Sequence, residues 1–327
     1  MITDVKPFDE VWFRDCFHMS IIPVFEYIFG TYNDILYNQI GNYIYNCGII
    51  SWKYFDNRNI YEMLDGYNVD YVFNPRLRKK SEFIAYLNND YFIILGIDSF
   101  FEKEKVDCFG KYHTGHSILI YKYNFELDEF YCIDQPFNFS YLYKKTRIKF
   151  DDLLIGHQSY IKHLNDEKFF QNPLPEICRY NGEMPSVLII SSKKKDLKRN
   201  KNVIPYFRKY IDKKRTDDLR LYLKDVENLV RIKQNISKFT NEVNKIINGI
   251  RLENYILSKI KLFNNKYFIS LLNKRYIYWN KYRNIVLKRS IRNDEKVKHV
   301  SSDKEILLDI LLMEEKILDY IHMQIEK

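Results

Sequence analysis

The sequence predicts an α+β fold in which a mixed helix-and-strand domain, residues 1–192, is followed by a basic, mostly α-helical domain, residues 193–327. Three observations predict this organisation. Short apolar runs rich in β-branched and aromatic residues lie before Ser192. After Ser192, apolar residues recur in steps of three and four, as on one face of a helix. The charge balance also changes, because 19 Lys and Arg oppose 26 Asp and Glu in the first domain, whereas 33 oppose 17 in the second.

The first domain opens with a predicted helix from Cys16 to Phe29, which Asp15 caps and Gly30 ends. Its other predicted elements are, in order, a helix over 82–87 capped by Ser81 and strands over 91–97, 117–123, 130–133 and 186–190. The short turn between the second and third of these strands predicts an antiparallel hairpin. In the second domain, the helical spacing covers 219–250 and 306–321, and the apolar stripes are expected to form the core of a bundle.

Length and composition exclude several classes of protein. With 327 residues, 46% of them hydrophobic, the chain is expected to fold around a substantial core and not to be disordered. No run approaches the ~18 apolar residues of a membrane span, and the N-terminus lacks the pattern of a secretion signal. The five cysteines are odd in number and include no CxxC pair, which argues against a disulfide framework. We therefore expect a cytoplasmic protein with no membrane partner and at least one free thiol.

A catalytic triad is predicted from one helix start and one hairpin. In the first turn of its helix, Cys16 lies where backbone N–H groups and the helix dipole favour a thiolate, so its pKa is expected to be lowered. His116 stands at the start of one hairpin strand and Asp134 at the end of the next, so antiparallel pairing brings them side by side. Asp134 can then accept the proton of one imidazole nitrogen while the other nitrogen faces the thiol.

A zinc site is the alternative interpretation of the same segment. His113 and His116, with Cys108 and Cys132 nearby, offer four groups that can bind zinc. Their spacing does not reproduce a known zinc motif, and a strand cysteine usually points into the core. We expect no metal and no other cofactor.

Three segments of the first domain, 94–101, 112–121 and 131–136, carry a resemblance to a known family. They resemble the N-terminal domain of the butirosin-biosynthesis protein H family, which is similar in turn to the C39 peptidases. The resemblance covers roughly the first 190 residues and implies a papain-like fold. It also implies that the nucleophile, the general base and the orienting carboxylate are the cysteine, histidine and aspartate of the triad described above.

Two positions depart from the C39-like pattern. Phe17 stands where that pattern has a glycine after the nucleophile, and Glu10 stands where it has the glutamine of the oxyanion hole. An ionised carboxylate cannot stabilise a developing oxyanion. The donors of the oxyanion hole are therefore not assigned by the resemblance, apart from the backbone N–H of Cys16.

The resemblance implies an acyltransferase or amide synthase of secondary-metabolite biosynthesis, as in nonribosomal pathways such as closthioamide assembly. Such a protein takes an acyl group from a phosphopantetheinyl thioester on a carrier protein and passes it through the cysteine to a small amine. Carrier proteins are generally acidic, so the basic second domain is expected to dock one. A C39-like cysteine peptidase is the second hypothesis, and a nucleic-acid-binding protein that uses the basic helices is the third.

Overall fold

In a computed structural model of the chain, the structure describes residues 2, 4–11, 15–32, 36, 40–46, 48–54, 59–137, 142–166, 169–170, 183–194, 214–225, 236–292 and 300–326. The helices and strands are, in chain order, α1 (Cys16–Phe29), β1 (Gly41–Asn46), β2 (Ile49–Tyr54), α2 (Ile60–Gly66), β3 (Tyr71–Phe73), α3 (Lys80–Asn88), β4 (Tyr91–Asp98), β5 (Gly115–Asn124), β6 (Glu129–Asp134), β7 (Lys144–Lys149), α4 (Phe150–His163), β8 (Val187–Ser191), α5 (Lys214–Asp225), α6 (Ile236–Lys259), α7 (Lys266–Arg292) and α8 (Val300–Ile325). Short 3-10 turns follow β4 and α6.

The chain divides into two compact units, which differ from the predicted domains in an early segment that joins the C-terminal unit and in a boundary after Lys198 instead of residue 192. Unit 1 comprises Met1–Tyr32 with Arg58–Lys198, and unit 2 comprises Asn33–Asn57 with Arg199–Lys327. The β1–β2 hairpin thus belongs with the C-terminal helices, although it lies early in the sequence. The physical reason is burial, because α5 packs on β1 and α6 on β2, and the hairpin side chains of Tyr43 and Trp52 fill the helical core.

Unit 1 is built around a six-stranded antiparallel sheet in the order β3-β8-β4-β5-β6-β7. Together with the helices of both units, this sheet confirms the predicted α+β class. Helices cover both faces of the sheet. Tyr27 of α1 makes an edge contact with Phe92 of β4. The opposite face carries Ile93, Ile118 and their neighbours, which pack in one core with Phe83 of α3 and Leu153 of α4.

Most of the predicted elements of unit 1 are confirmed, and one cap is wrong. The Asp15 carboxylate accepts the His18 N–H at 2.9 Å and caps α1, and Gly30 ends that helix in the left-handed region with φ 69°. The hairpin of β5 and β6 is slightly longer than predicted. Ser81, in contrast, lies inside α3 and does not cap it. At the start of this helix, the Glu82 carboxylate accepts a hydrogen bond from the backbone N–H of Lys79 at 2.9 Å.

Unit 2 surrounds a network of buried charges. The carboxylate of Glu314 on α8 lies 3.1 Å from the Arg275 guanidinium and 3.5 Å from Arg215, and it accepts the hydroxyl of Tyr43. Glu253 completes the network with Arg215 at 2.8 Å. Burial alone would raise the pKa of Glu314, but the two guanidinium charges hold it below its ordinary value. The network therefore joins the four helices α5 to α8 through fully buried ion pairs, and the Tyr43 hydroxyl links it to the hairpin.

The sequence predicts no membrane-spanning segment, and the helices of the described segments can be compared with that prediction. Within these segments, none combines the length and the hydrophobicity that a membrane crossing requires.

Candidate active site

Two adjacent strands hold His116 and Asp134 together. His116 is the second residue of β5 and Asp134 the last residue of β6. Since Ile120 pairs with Cys132 in this ladder, the two are diagonal neighbours on one face of the sheet. His116 Nε2 lies 2.6 Å from Asp134 Oδ1, and the residues are 1% and 5% exposed. The structure thus joins two of the three predicted residues directly.

The protonation state of the pair follows from its surroundings. Burial, and then the positive charge of Lys105, lower the pKa of His116 to about 3, so the ring is neutral at pH 7. Because a carboxylate can only accept, the one N–H of the neutral ring is assigned to Nε2. Nδ1 then has a free lone pair and can act as a base. The Gln135 backbone N–H also donates to Asp134 Oδ1 at 2.6 Å and fixes the carboxylate.

Cys16 lies at the same end of the sheet, at the start of the helix that covers the other face. The Ser20 hydroxyl, one turn further on, donates to the Cys16 carbonyl at 2.9 Å and to the Ser117 carbonyl at 3.2 Å. This contact ties the first turn of α1 to the residue after His116. Among the described residues, no hydrogen bond joins Cys16 to His116. The charge of Lys105 acts on both of them.

The predicted lowering of the Cys16 pKa is wrong. Burial raises the pKa to about 12 and the adjacent Asp15 carboxylate raises it further, whereas Lys105 and Ser117 offset these effects only in part. The helix dipole contributes only ~0.3–1 kcal/mol, which is less than the cost of burying a thiolate. The thiol and the imidazole are therefore both neutral at rest, and the thiol must lose its proton during the attack.

The Asp15→Asn substitution is expected to speed alkylation of Cys16 by iodoacetamide by about threefold to tenfold, because it removes a negative charge beside the sulfur. Asparagine caps a helix as well as aspartate does, so α1 should be preserved. In the unsubstituted protein, the alkylation rate should keep rising above pH 9, since the thiolate fraction grows until about pH 12. Mass spectrometry of the Cys16 peptide over a pH series measures both effects. Equal rates in the two proteins would show that the carboxylate does not act on the sulfur.

Three buried residues around the His116–Asp134 pair were not predicted from the sequence. Lys105 is fully buried, with Nζ 3.7 Å from Glu102 Oε2 and 4.0 Å from Asp134 Oδ1. Burial raises the pKa of Glu102 to about 7. Burial, then the charges of Cys16 and Asp134, raise the pKa of Tyr143 well above its ordinary value, so its ring lies near both. In the sequence, the charged run 102–107 is typical of a solvated loop, and Tyr143 is one of 28 tyrosines.

A cavity of about 300 Å³ adjoins the pair. Glu102 and Asp134 line it, and Ile118, Cys132 and Ile148 form an apolar part of its wall. Its volume is at the lower end of the range for small-molecule sites. A small polar group of a substrate can therefore reach the Asp134 carboxylate from this side.

Metal binding is a competing use of the same groups. One ligand atom each from Glu102, His116 and Asp134 lies within 4.8 Å of the others. However, the Lys105 ammonium is 4.0 Å from Asp134 Oδ1. A divalent cation at this place would be repelled by that charge at short range. The donor set therefore fits an acid–base pair better than a metal centre.

The four residues of the zinc hypothesis are not brought together. His113 instead donates from Nδ1 to Asp98 Oδ2 at 2.6 Å, and its ring stacks on Phe100. Cys108 and Cys132 are buried free thiols. These residues therefore do not form the zinc site that the interpretation requires. Two further cysteines, Cys47 and Cys178, lie outside the described residues.

Comparison with known proteins assigns no family. No protein-family model matches the sequence, and no curated protein matches it. The fold and the site define an α+β protein with a buried His–Asp pair and a buried thiol at one end of its antiparallel sheet.

Proposed function

We propose that the chain is a papain-like, cysteine-dependent acyltransferase that makes amides from carrier-bound thioesters. The observation that carries the proposal is the buried His116–Asp134 pair, which leaves an imidazole nitrogen with a free lone pair at the end of the sheet where the Cys16 turn is anchored. A neutral thiol needs such a base, because it must give up its proton to become a nucleophile. The resemblance to the butirosin-type family supports a role in nonribosomal, secondary-metabolite assembly.

The proposed reaction has two halves. Cys16 Sγ attacks the thioester carbonyl while its proton passes to His116 Nδ1, and the carrier thiol then leaves with that proton. An amine next attacks the acyl-Cys16 carbonyl and gives its proton to the same nitrogen. The C–S bond breaks, the sulfur regains the proton, and the amide is released. Asp134 stabilises the imidazolium that forms in each half.

Two features favour acyl transfer from a thioester over peptide hydrolysis. Cys16 is 8% exposed and His116 is 1% exposed, so the acyl intermediate would be shielded from bulk water. The thiol is also neutral at rest, since its pKa is about 12. A thioester is an activated acyl donor, so its attack demands less of the nucleophile than that of a peptide bond.

The direct test incubates the protein with acyl groups loaded on a carrier protein and records intact masses. An acyl mass on the chain, converted to an amide when an amine is added, supports the proposal. Cleavage of peptides without amide formation would support the cysteine peptidase instead. Binding of DNA or RNA that weakens steeply with salt, without any acyl adduct, would support the nucleic-acid-binding hypothesis.

Helix α7 provides a surface that fits an acidic carrier protein. Its 27 residues include eight Lys and Arg and no Asp or Glu. Three exposed lysines follow one another at intervals of seven residues and therefore lie along one side of the helix. We call Lys274, Lys281 and Lys288 the basic stripe.

Reversal of the basic stripe by Lys→Glu at all three positions is expected to slow acylation from carrier-bound donors by about tenfold at low salt. A small soluble thioester should react at an unchanged rate. Because exposed charges act mainly on the association rate, the loss should shrink at high salt. Single-turnover acylation at two salt concentrations measures both effects.

A matched control separates docking from net charge. Lys79, Lys111 and Lys162 are exposed lysines of unit 1, and their reversal changes the net charge by the same amount. This control should retain the rate with carrier-bound donors. Equal losses with the two donor types in the stripe variant would show that the stripe supports the fold or the active site and not docking.

A further inference from the structure

In the described part of the chain, two buried side chains that interact electrostatically with Cys16 carry unsatisfied hydrogen-bond donors. Among the described residues, Lys105 Nζ and Tyr143 Oη are buried donors without a hydrogen-bond partner. Buried polar groups are nearly always hydrogen-bonded in native proteins. Two unsatisfied buried donors that both interact electrostatically with Cys16 therefore indicate a site that receives a polar ligand atom.

Lys105 is not satisfied by the carboxylates nearest to it. Both lie beyond hydrogen-bonding distance, at 3.7 Å for Glu102 and 4.0 Å for Asp134. Glu102 Oε2 already accepts the Ser99 hydroxyl at 2.6 Å, and Asp134 Oδ1 already accepts His116 Nε2. The three N–H donors of the ammonium therefore stay available to another acceptor.

Tyr143 offers a second buried donor. The residue is 2% exposed and immediately precedes β7. Its hydroxyl lies within electrostatic reach of both Cys16 and Asp134, and Lys105 lies within reach of Cys16. The phenol and the ammonium thus each interact electrostatically with the Cys16 thiol.

Glu10 stands where the C39-like pattern has the glutamine of the oxyanion hole, but it cannot supply such a donor. Glu10 is exposed, and its charge acts on Glu26, ten residues after Cys16 in α1. It is also a carboxylate, which repels an oxyanion. A catalytic site that uses Cys16 needs donors from elsewhere in the fold.

We propose that Lys105 and Tyr143 form an anion subsite beside Cys16 that binds the negatively charged oxygen of the substrate carbonyl. When the C–S bond to Cys16 forms, the carbonyl electron pair moves to the oxygen, which accepts hydrogen bonds from the two side chains. The electron pair returns to the carbonyl bond when the carrier thiol leaves. The nature of this oxygen rests on the proposed function, whereas the subsite itself requires only a small anion next to the sulfur.

Nearby charges set the pH at which the subsite is strongest. The Asp15 carboxylate acts on Cys16, Asp107 acts on His116, and Asp134 lies 4.0 Å from Lys105. His116 itself is neutral above pH 3. Glu102 has a pKa of about 7, so below that pH it is mainly uncharged. Above pH 7 its ionised carboxylate offsets the Lys105 charge at 3.7 Å. Anion binding should therefore weaken as the pH rises through 7.

The test compares two alkylating agents that differ in charge. Iodoacetate carries a carboxylate and iodoacetamide is neutral, and both place carbon on Cys16 Sγ as iodide leaves and the thiol proton is lost. The ratio of the two rates, measured at the Cys16 peptide by mass spectrometry at pH 6, reports the anion preference. It needs no acyl donor. The buried Cys108 and Cys132 peptides serve as internal references.

Lys105→Met is expected to lower the iodoacetate preference by about tenfold or more, since one charge at short range is worth over 1.4 kcal/mol in a buried site. Tyr143→Phe, which removes only a hydroxyl and should fold normally, is expected to lower it about threefold to tenfold. Lys105→Arg should retain most of it. Lys111→Met, at an exposed position of the same unit, and Tyr123→Phe, at a partly exposed one, should leave it unchanged.

The pH dependence provides an independent check. The preference should fall between pH 6 and pH 8.5, and Glu102→Gln should abolish that fall. An unchanged ratio in both Lys105→Met and Tyr143→Phe would overturn the subsite. If the protein never forms an acyl adduct but keeps the iodoacetate preference, the acyltransferase function fails while the subsite stands. If the protein transfers acyl groups normally but shows no iodoacetate preference, the subsite fails while the acyltransferase function stands.

Discussion

Cys16→Ala is expected to abolish the acyl adduct and to lower amide formation by on the order of 10³-fold or more, because the nucleophile cannot be replaced by another group in the site. The fold should survive, since the change removes one sulfur atom at the first position of α1 and leaves the Asp15 cap in place. Intact-mass spectrometry measures the adduct, and circular dichroism confirms the fold. Cys108→Ala and Cys132→Ala, which remove other buried thiols, should retain the adduct.

A pair of histidines provides the matched control for the base. His116 and His113 each contact a carboxylate at 2.6 Å, Asp134 in the first case and Asp98 in the second. His116→Ala should suppress acylation to a similar extent, and His113→Ala should not. Retention of the adduct in Cys16→Ala would place the nucleophile elsewhere. Equal losses from the two histidine variants would remove the distinction on which the proposed base depends.

Glu314→Gln is expected to destabilise unit 2 by about 3–5 kcal/mol, because it leaves the buried charges of Arg275 and Arg215 without one of their compensating carboxylates. Urea unfolding followed by circular dichroism measures the change. The sign of the pH dependence follows from the lowered pKa of Glu314. Its contribution is present at neutral pH and is lost on acidification through the folded-state pKa, and Glu314→Gln should weaken this acid sensitivity.

The neighbouring residue is the control. Glu315 lies 2.7 Å from Arg220, but both side chains are at least one-third exposed. Glu315→Gln should cost only about 0–1 kcal/mol, because water screens an exposed pair. Equal costs for the two substitutions would mean that the network carries no more energy than a surface ion pair.

The sequence predicts the parts of the molecule that depend on local pattern. The cap at Asp15, the left-handed stop at Gly30 and the hairpin that pairs His116 with Asp134 all follow from short-range rules, and all three are confirmed. Ser81 shows the limit of such rules. A carboxylate inside the helix, that of Glu82, satisfies the first backbone groups as well as a serine cap would.

The unpredicted features depend on tertiary burial. Lys105 lies in a charged run that is typical of solvent-exposed loops, yet it is fully buried between two carboxylates. The pKa of Cys16 rises because desolvation and Asp15 outweigh the helix dipole. The hairpin that contains Tyr43 and Trp52 joins helices far along the chain, which no local pattern reveals. Each of these outcomes requires knowing what surrounds the side chain.

Unit 2 is made of two segments that lie far apart in the sequence, so they leave the ribosome at different times. The hairpin ends at Tyr54, and its first helical partner begins at Lys214, about 160 residues later. At roughly 5–20 residues per second, the hairpin leaves the ribosome some ten to thirty seconds before that partner exists. During this interval Tyr43 and Trp52 lack the core that buries them. The newly made chain therefore carries an apolar hairpin that a chaperone can recognise, while the sheet of unit 1 is completed first.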